Sequence, residues 1–150
     1  MDRQEKAVEL FKSGYNCCQS VFAAFADKYG IDENTALKLS SSFGAGMGRM
    51  REVCGTVSGM MLVAGMETGT VDNNDREGKA KNYETVRRLA DMFKEQNGSI
   101  ICRELLGLDK DTQEDAVPSE RTKEYYAKRP CVELVRMAAK ILEKELEGLE

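Results

Sequence analysis

The stretch FGAGMGRMREVCGTVSGMMLVAGMETG, residues 43–69, decides the fold. It carries seven of the 13 glycines and only four charged residues, whereas the segments on either side of it are strongly charged. From Cys54 to Ala64 the residues are apolar or small on every side, which is typical of a helix packed all round by other helices. We therefore predict a short, buried, glycine-rich helix at the centre of the protein.

Two glycines of this predicted helix, Gly55 and Gly59, lie one turn apart. Glycine lowers helix propensity by about 1 kcal/mol relative to alanine, so two of them in a short helix indicate a close backbone approach. The approaching group is either a neighbouring helix or a ligand, and the sequence leaves both open.

The upstream glycines at 44, 46 and 48 are followed by Arg49 and Arg51. A glycine loop of this kind presents backbone N–H groups and positive charge, which suits an anion. A dinucleotide fingerprint also needs a hydrophobic strand before the loop, and only LKLSSS precedes Phe43. We favour a turn as the use of these glycines.

The rest of the chain predicts a single all-α domain of about six helices. Asp2, Asn16 and Asp32 stand as caps before apolar residues at helical spacing, and Pro130 is placed to begin the last helix. No strand pattern competes anywhere. The segment 108–129 is charged and predicts a surface loop with one helical turn, either a solvated connection or a lid. The apolar face predicted for the last helix consists of Leu134, Val135, Ala138, Ile141, Leu142 and Leu146.

Composition excludes several classes of function. The formal net charge of -4, the pI near 5.1 and the lack of a basic stripe argue against nucleic acid as a partner. We expect no membrane span and a cytoplasmic location, because no apolar run approaches about 18 residues and the N-terminus is charged. Eight methionines and the apolar helix faces are compatible with a dimer without requiring one.

Five cysteines and no histidine direct the chemistry towards sulfur. The missing histidine removes the commonest general base and metal ligand, and with it every imidazole-based triad. An odd number of cysteines fits a structural disulfide framework poorly, so in a reducing compartment these residues point to metal or redox chemistry.

Four of the cysteines share one predicted structural position, the beginning of a helix. There the helix dipole and unpaired N–H groups favour a thiolate and lower a thiol pKa from about 8.5 towards neutrality. No pair has CxxC spacing, which argues against a zinc ribbon and a thioredoxin motif, so a shared site must be assembled by tertiary packing. These four are Cys17 after Asn16, Cys54 at the start of the central helix, Cys102 after a Ser99 cap and Cys131 after Pro130.

Cys18 differs from the other four. It falls on the same helix face as Phe22 and Phe25, which predicts a packing role. Its position next to Cys17 also makes it a candidate accessory thiol.

The segments around these cysteines resemble the C_GCAxxG_C_C family of putative redox-active proteins over nearly the whole chain. The resemblance implies a redox or metal-binding role for Cys17, Cys54, Cys102 and Cys131. Cys18 stands where the family usually has alanine, and Thr56 replaces the alanine of the motif, adding a hydroxyl suited to a nearby thiolate. The matching segments are GYNCCQSV at 14–21, FGAGMGR at 43–49, CGTVSG at 54–59, CRELLG at 102–107 and PCVELV at 130–135.

Three hypotheses of function remain open at the level of sequence. The leading one is a redox-active thiol/disulfide couple or low-pKa redox site formed by two or more of the four cysteines Cys17, Cys54, Cys102 and Cys131, with a partner protein or a small thiol as redox partner. In this hypothesis Cys54, beside Arg49 and Arg51, is the most acidic thiol, and the protein is a candidate thiol oxidoreductase. The second is a protein that binds zinc or an iron–sulfur cluster through four thiolates, those of Cys17, Cys54, Cys102 and Cys131. The third is a non-catalytic helical interaction protein whose cysteines are merely buried.

Overall fold

The computed structural model describes residues 2–146, and within that range nearly all regular structure is helical. Six of the helices span seven or more residues, so the prediction of an all-α fold of about six helices is confirmed. In chain order they are α1 (Arg3–Lys12), α2 (Cys17–Ala23), α3 (Glu33–Ser40), α4 (Gly44–Met47), α5 (Gly55–Thr68), α6 (Arg76–Asn97), α7 (Cys102–Leu105), α8 (Lys123–Lys128) and α9 (Cys131–Glu145), with 3-10 segments at Ala26–Tyr29 and Ser41–Phe43.

Side-chain caps fix the starts of the N-terminal helices where the sequence predicts them. Asp2 accepts a hydrogen bond from the N–H of Glu5, and Asp32 begins α3 in the same way. Asn16 and Gln19 form a reciprocal capping box at the start of α2. Because this capping box satisfies N–H groups that the helix leaves unpaired, the first residue of α2 is held in a defined place.

The central helix is α5, and it packs against α2, α6 and α9. Met60, Val63 and Ala64 are completely buried in the main hydrophobic cluster, which confirms the predicted buried centre. Its glycines serve the contact with α2. A Cβ atom built on Gly59 would lie 2.9 Å from Cβ of Val21.

The last helix, α9, packs its apolar face against α1, α2, α5 and α6. The six residues predicted for that face are all buried. This amphipathic helix closes the bundle and brings its first residue, Cys131, to the same end of the molecule as the start of α2.

The upstream glycine segment is a left-handed helical turn. Ala45 (φ 57°, ψ 40°) and Gly46 (φ 67°, ψ 44°) lie in the left-handed region, as do Met47, Gly48 and Arg49 by their φ angles. For non-glycine residues this conformation costs roughly 1–2 kcal/mol each, so tertiary contacts must impose it.

One such contact is the close approach of residues 51 and 52 to the turn. The N–H of Glu52 donates to the carbonyl of Gly46 at 2.9 Å, and a Cβ atom on Gly46 would lie 2.6 Å from Cα of Arg51. The predicted turn is therefore a fixed element, and it positions Arg49 and Arg51.

None of the helices in the described part of the chain combines the length and apolar character needed to cross a lipid bilayer.

Candidate functional site

The four predicted site cysteines line one cavity of about 220 Å³. Cys17, Cys102 and Cys131 are the first residues of α2, α7 and α9, and Cys54 is the N-cap of α5. All are free thiols. The prediction that each lies at a helix start is confirmed, and the packing of four helices brings these starts together.

A short antiparallel bridge holds Cys54 and Cys102. The N–H of Cys54 donates to the carbonyl of Ile100 at 2.8 Å, and the N–H of Cys102 donates to the carbonyl of Glu52 at 2.6 Å. Ser99 does not cap α7 as predicted. Its hydroxyl accepts from the N–H of Ile101, which is the N-cap residue, so the backbone bridge sets the start of this helix.

Cys17 and Cys131 both line the cavity, and each thiol shifts the pKa of the other. The hydrogen bond from Cys17 lowers the pKa of Cys131 from 9.0 to about 7, against the opposing effect of burial. The guanidinium groups of Arg129, Arg121 and Arg51 lower it further. The pKa of Cys17, which is partly exposed, is raised, first by its interaction with Cys131 and then by the loss of solvation. The pair therefore consists of one acidic thiol and one that stays protonated.

Cys54 behaves in the opposite way, and the prediction that it is the most acidic thiol is wrong. Burial raises its pKa to about 11. The Thr56 hydroxyl and the backbone N–H groups of Thr56 and Val57 pull the pKa down without compensating for the lost solvation.

Cys102 and Cys18 are also poor thiolates. The guanidinium of Arg51 donates to Sγ of Cys102 at 3.6 Å, yet burial still raises the pKa of Cys102. Burial raises the pKa of Cys18 to about 12, and Cys18 does not line the cavity. Its position among fully buried side chains agrees with the packing role that its helix face predicts.

Arg49 and Arg51 lie at the cavity but share a carboxylate that the sequence analysis did not single out. Arg49 pairs with Glu114 at 2.8 Å, and Arg51, 4% exposed, pairs with the other oxygen of Glu114. These ion pairs fasten the segment before α8 against the site, where Ala116 and Pro118 form part of the cavity wall. The segment is anchored at Glu114, and residues 115–120 are exposed.

Two further arginines, Arg121 and Arg129, line the cavity and were also missed. Arg121 donates to the carbonyls of Phe11 at 2.8 Å and Tyr15 at 2.9 Å. Arg129 lies over the ring of Tyr125, 4.7 Å from its centroid. The one signal in the sequence was the position of Arg129 two residues before Cys131.

Thr56, the predicted accessory hydroxyl, is completely buried at the start of α5. Its Oγ1 has no hydrogen-bond partner among the described residues. The hydroxyl lowers the pKa of both Cys17 and Cys54, so it lies where it acts on two thiols.

The spacing of the four cavity cysteines decides whether they could hold a metal ion. Within residues 2–146, no group of three or more Cys, Asp or Glu side chains has the spacing to hold a metal ion. Tetrahedral zinc sites and iron–sulfur clusters draw three or four ligands onto one centre. The four thiols as arranged do not fit such a group.

Comparison with known proteins agrees with the resemblance seen in the sequence. Residues 15–145 match the family model described as putative redox-active protein (C_GCAxxG_C_C). No curated protein and no solved structure shows a significant match. The family match spans most of the chain and includes all four cysteines of the cavity, and the protein therefore belongs to the C_GCAxxG_C_C family.

Proposed function

We propose that the protein is a thiol oxidoreductase that cycles Cys17 and Cys131 between a dithiol and a disulfide. The observation that carries the proposal is the placement of these two thiols in one cavity, where the thiol of Cys17 and nearby arginines lower the pKa of Cys131 to about 7. An attacking thiol works best when its pKa is close to the ambient pH, because it is then both ionised and nucleophilic. At about pH 7 roughly half of Cys131 is thiolate.

The first step is attack by the Cys131 thiolate on a substrate disulfide. A bond forms between Sγ of Cys131 and one substrate sulfur, and the other substrate sulfur leaves as a thiolate that takes up a proton from solvent. This mixed disulfide places the substrate in the cavity next to Cys17.

Cys17 then resolves the mixed disulfide. It loses its proton to solvent and attacks Sγ of Cys131, which releases the second substrate thiolate and leaves a Cys17–Cys131 disulfide. Starting from the Cys131 thiolate, the protein loses two electrons and the proton of Cys17, and the two substrate thiolates gain the electrons and take up two protons from solvent. Each step is reversible, so the direction depends on the redox potential of the partner.

The remaining cavity residues support this chemistry without joining the exchange. Cys54 and Cys102 both have raised pKa values, so they remain thiols near neutral pH. Arg129, Arg121 and Arg51 stabilise the Cys131 thiolate.

Disulfide mapping tests the proposal. The fully reduced protein is treated anaerobically with bis(2-hydroxyethyl) disulfide, free thiols are alkylated, and the peptides are identified by mass spectrometry. We expect a Cys17–Cys131 linkage. It should be absent from the Cys17→Ser and Cys131→Ser variants and retained in the matched control Cys18→Ser.

Two results would contradict the proposal. One is a linkage between another pair of cysteines with Cys17 and Cys131 still free. The other is a protein whose five thiols stay reduced until it unfolds, which would support the non-catalytic hypothesis.

A further inference from the structure

The charge of the cavity is opposite to that of the protein. The chain carries a formal net charge of -4, yet among residues 2–146 four arginines and no aspartate or glutamate line the cavity. A concave surface of one sign concentrates ligands of the opposite sign. The cavity is therefore suited to an anion.

Three of these arginines are already occupied. Arg49 and Arg51 share the carboxylate of Glu114. Arg121 donates to two backbone carbonyls and lies 4.3 Å from the centroid of the Phe11 ring. Their N–H groups serve to hold the cavity together.

Arg129 is the exception. Among the described residues no carboxylate or hydrogen-bond acceptor contacts its guanidinium, which is partly exposed and held over the ring of Tyr125. The stacking orders the side chain while leaving its five N–H donors free, and a guanidinium is suited to binding a carboxylate through two parallel hydrogen bonds. Arg129 lies two residues before the proposed nucleophile, Cys131.

The size of the cavity limits what such a ligand can be. Sites for drug-sized molecules measure about 300–1,000 Å³, and this cavity is about 220 Å³. It suits a molecule of amino-acid size.

We infer that the substrates are small anionic disulfides or thiols, and that Arg129 binds the substrate carboxylate while Cys131 attacks the sulfur. This inference rests on the proposed function and specifies its substrate class.

Matched small disulfides of different charge test the inference. The probes are 3,3′-dithiodipropionate, bis(2-hydroxyethyl) disulfide and cystamine, which are anionic, neutral and cationic. The rate constant for reaction at Cys131 is measured with each and divided by that of the same probe with 2-mercaptoethanol. We expect the anionic probe to exceed the neutral one by about tenfold and the cationic probe to be slowest.

The Arg129→Gln variant should reduce the anionic-to-neutral ratio to about one, whereas Arg129→Lys should retain part of it. The ratio is unaffected by a change in the thiolate fraction of Cys131, since both probes meet the same thiolate. Arg87→Gln, an exposed arginine on α6, is the matched control and should keep the parent ratio. A parent ratio of one, or a ratio that survives in Arg129→Gln, would overturn the inference.

Alkylation separates failure of the inference from failure of the proposed function. Iodoacetate and iodoacetamide have similar size and differ in charge, and neither needs disulfide exchange. If Cys131 exchanges with no disulfide but prefers iodoacetate in an Arg129-dependent manner, the anion site stands and the oxidoreductase proposal falls. If exchange proceeds with no charge preference in either assay, only the anion site falls.

Discussion

Cys54 and Cys131 occupy the same kind of position and have opposite acidity. Both stand at the start of a long helix and line the same cavity, yet the pKa of Cys54 rises to about 11 and that of Cys131 falls to about 7. A helix dipole contributes about 0.3–1 kcal/mol, which is less than one pKa unit. Burial shifts a pKa by up to about 3–5 units. Position at a helix start therefore does not decide acidity, and the surroundings of the sulfur do.

The surroundings differ because the two helices lie in different places. Cys54 belongs to the central helix, where the close contact between α5 and α2 removes solvent and leaves the Thr56 hydroxyl and local N–H groups to stabilise a thiolate. Cys131 begins α9, where the thiol of Cys17 and the positive charge of nearby arginines lower its pKa. One region is built for packing and the other for an anion.

The largest expected effect comes from removing the sulfur of Cys131, with removal of the Cys54 sulfur as the comparison. Cys131→Ser should lower the rate of reaction with bis(2-hydroxyethyl) disulfide at about pH 7 by roughly 50-fold, because a thiol of pKa 9 is about 1% ionised there. Cys54→Ser should leave the rate within about twofold of the parent. Stopped-flow kinetics measure both, and a slow Cys54→Ser variant would reverse the comparison.

Cys17 provides the next test, because its hydrogen bond distinguishes the two regions. Cys17→Ala should raise the pKa of Cys131 by about one unit, since a hydrogen bond to a charged group contributes about 1.5–3 kcal/mol and solvent replaces part of it. Cys17→Ser keeps a donor and should keep most of the low pKa. The pH dependence of iodoacetamide alkylation at Cys131 measures the shift. Equal pKa values in both variants would mean that the arginines act alone.

Two glycines of α5 test the packing that buries Cys54. Alanine at Gly59 would approach Val21 at 2.9 Å and should destabilise the protein by about 1 kcal/mol, after allowing for improved helix propensity. Gly65, on the same helix, has nothing within 4 Å of an added Cβ, so Gly65→Ala should stabilise by up to about 1 kcal/mol. Urea denaturation gives both values. Equal effects would show that the contact between α5 and α2 is not tight.

The smallest expected effect concerns Glu114, which fastens the segment over the cavity. Its pKa is lowered from 4.5 by hydrogen bonding to Arg51, so its contribution is present above about pH 4.5 and is lost as pH falls through the lowered value. Glu114→Gln should mimic that loss at neutral pH, with a few-fold faster amide exchange in residues 108–122 and a stability change below about 1 kcal/mol. Exchange measured by mass spectrometry checks this. Unchanged protection would mean that other contacts hold the segment.

The sequence predicted what depends on local interactions. Asn16 caps its helix through Gln19, a residue three positions away, and the apolar spacing of α9 marks its buried face, so both could be recognised without a structure. The left-handed turn could not be predicted, because Ala45 and Met47 adopt positive φ only under distant contacts. From the sequence alone, only a turn at the upstream glycines could be predicted, and not its left-handed conformation.

The site was predicted in part for the same reason. Helix starts at four cysteines were visible in the chain, and the family resemblance implied that these residues act together. The acidity of Cys54 was predicted wrongly, because desolvation depends on tertiary packing. Cys17 and Cys131 are more than 100 residues apart in the sequence, so no local pattern predicts that they interact. Arg129 is recognised only from its place in the cavity, which the sequence does not show.

Titration of the thiolate absorbance of the reduced protein tests the central claim most directly. The parent and the variants Cys131→Ala and Cys54→Ala are compared from acid to alkaline pH. The account predicts one thiol that ionises near pH 7 in the parent, absent from Cys131→Ala and retained in Cys54→Ala. Loss of that transition in Cys54→Ala, or its persistence in Cys131→Ala, would contradict the assignment of Cys131 as the nucleophile.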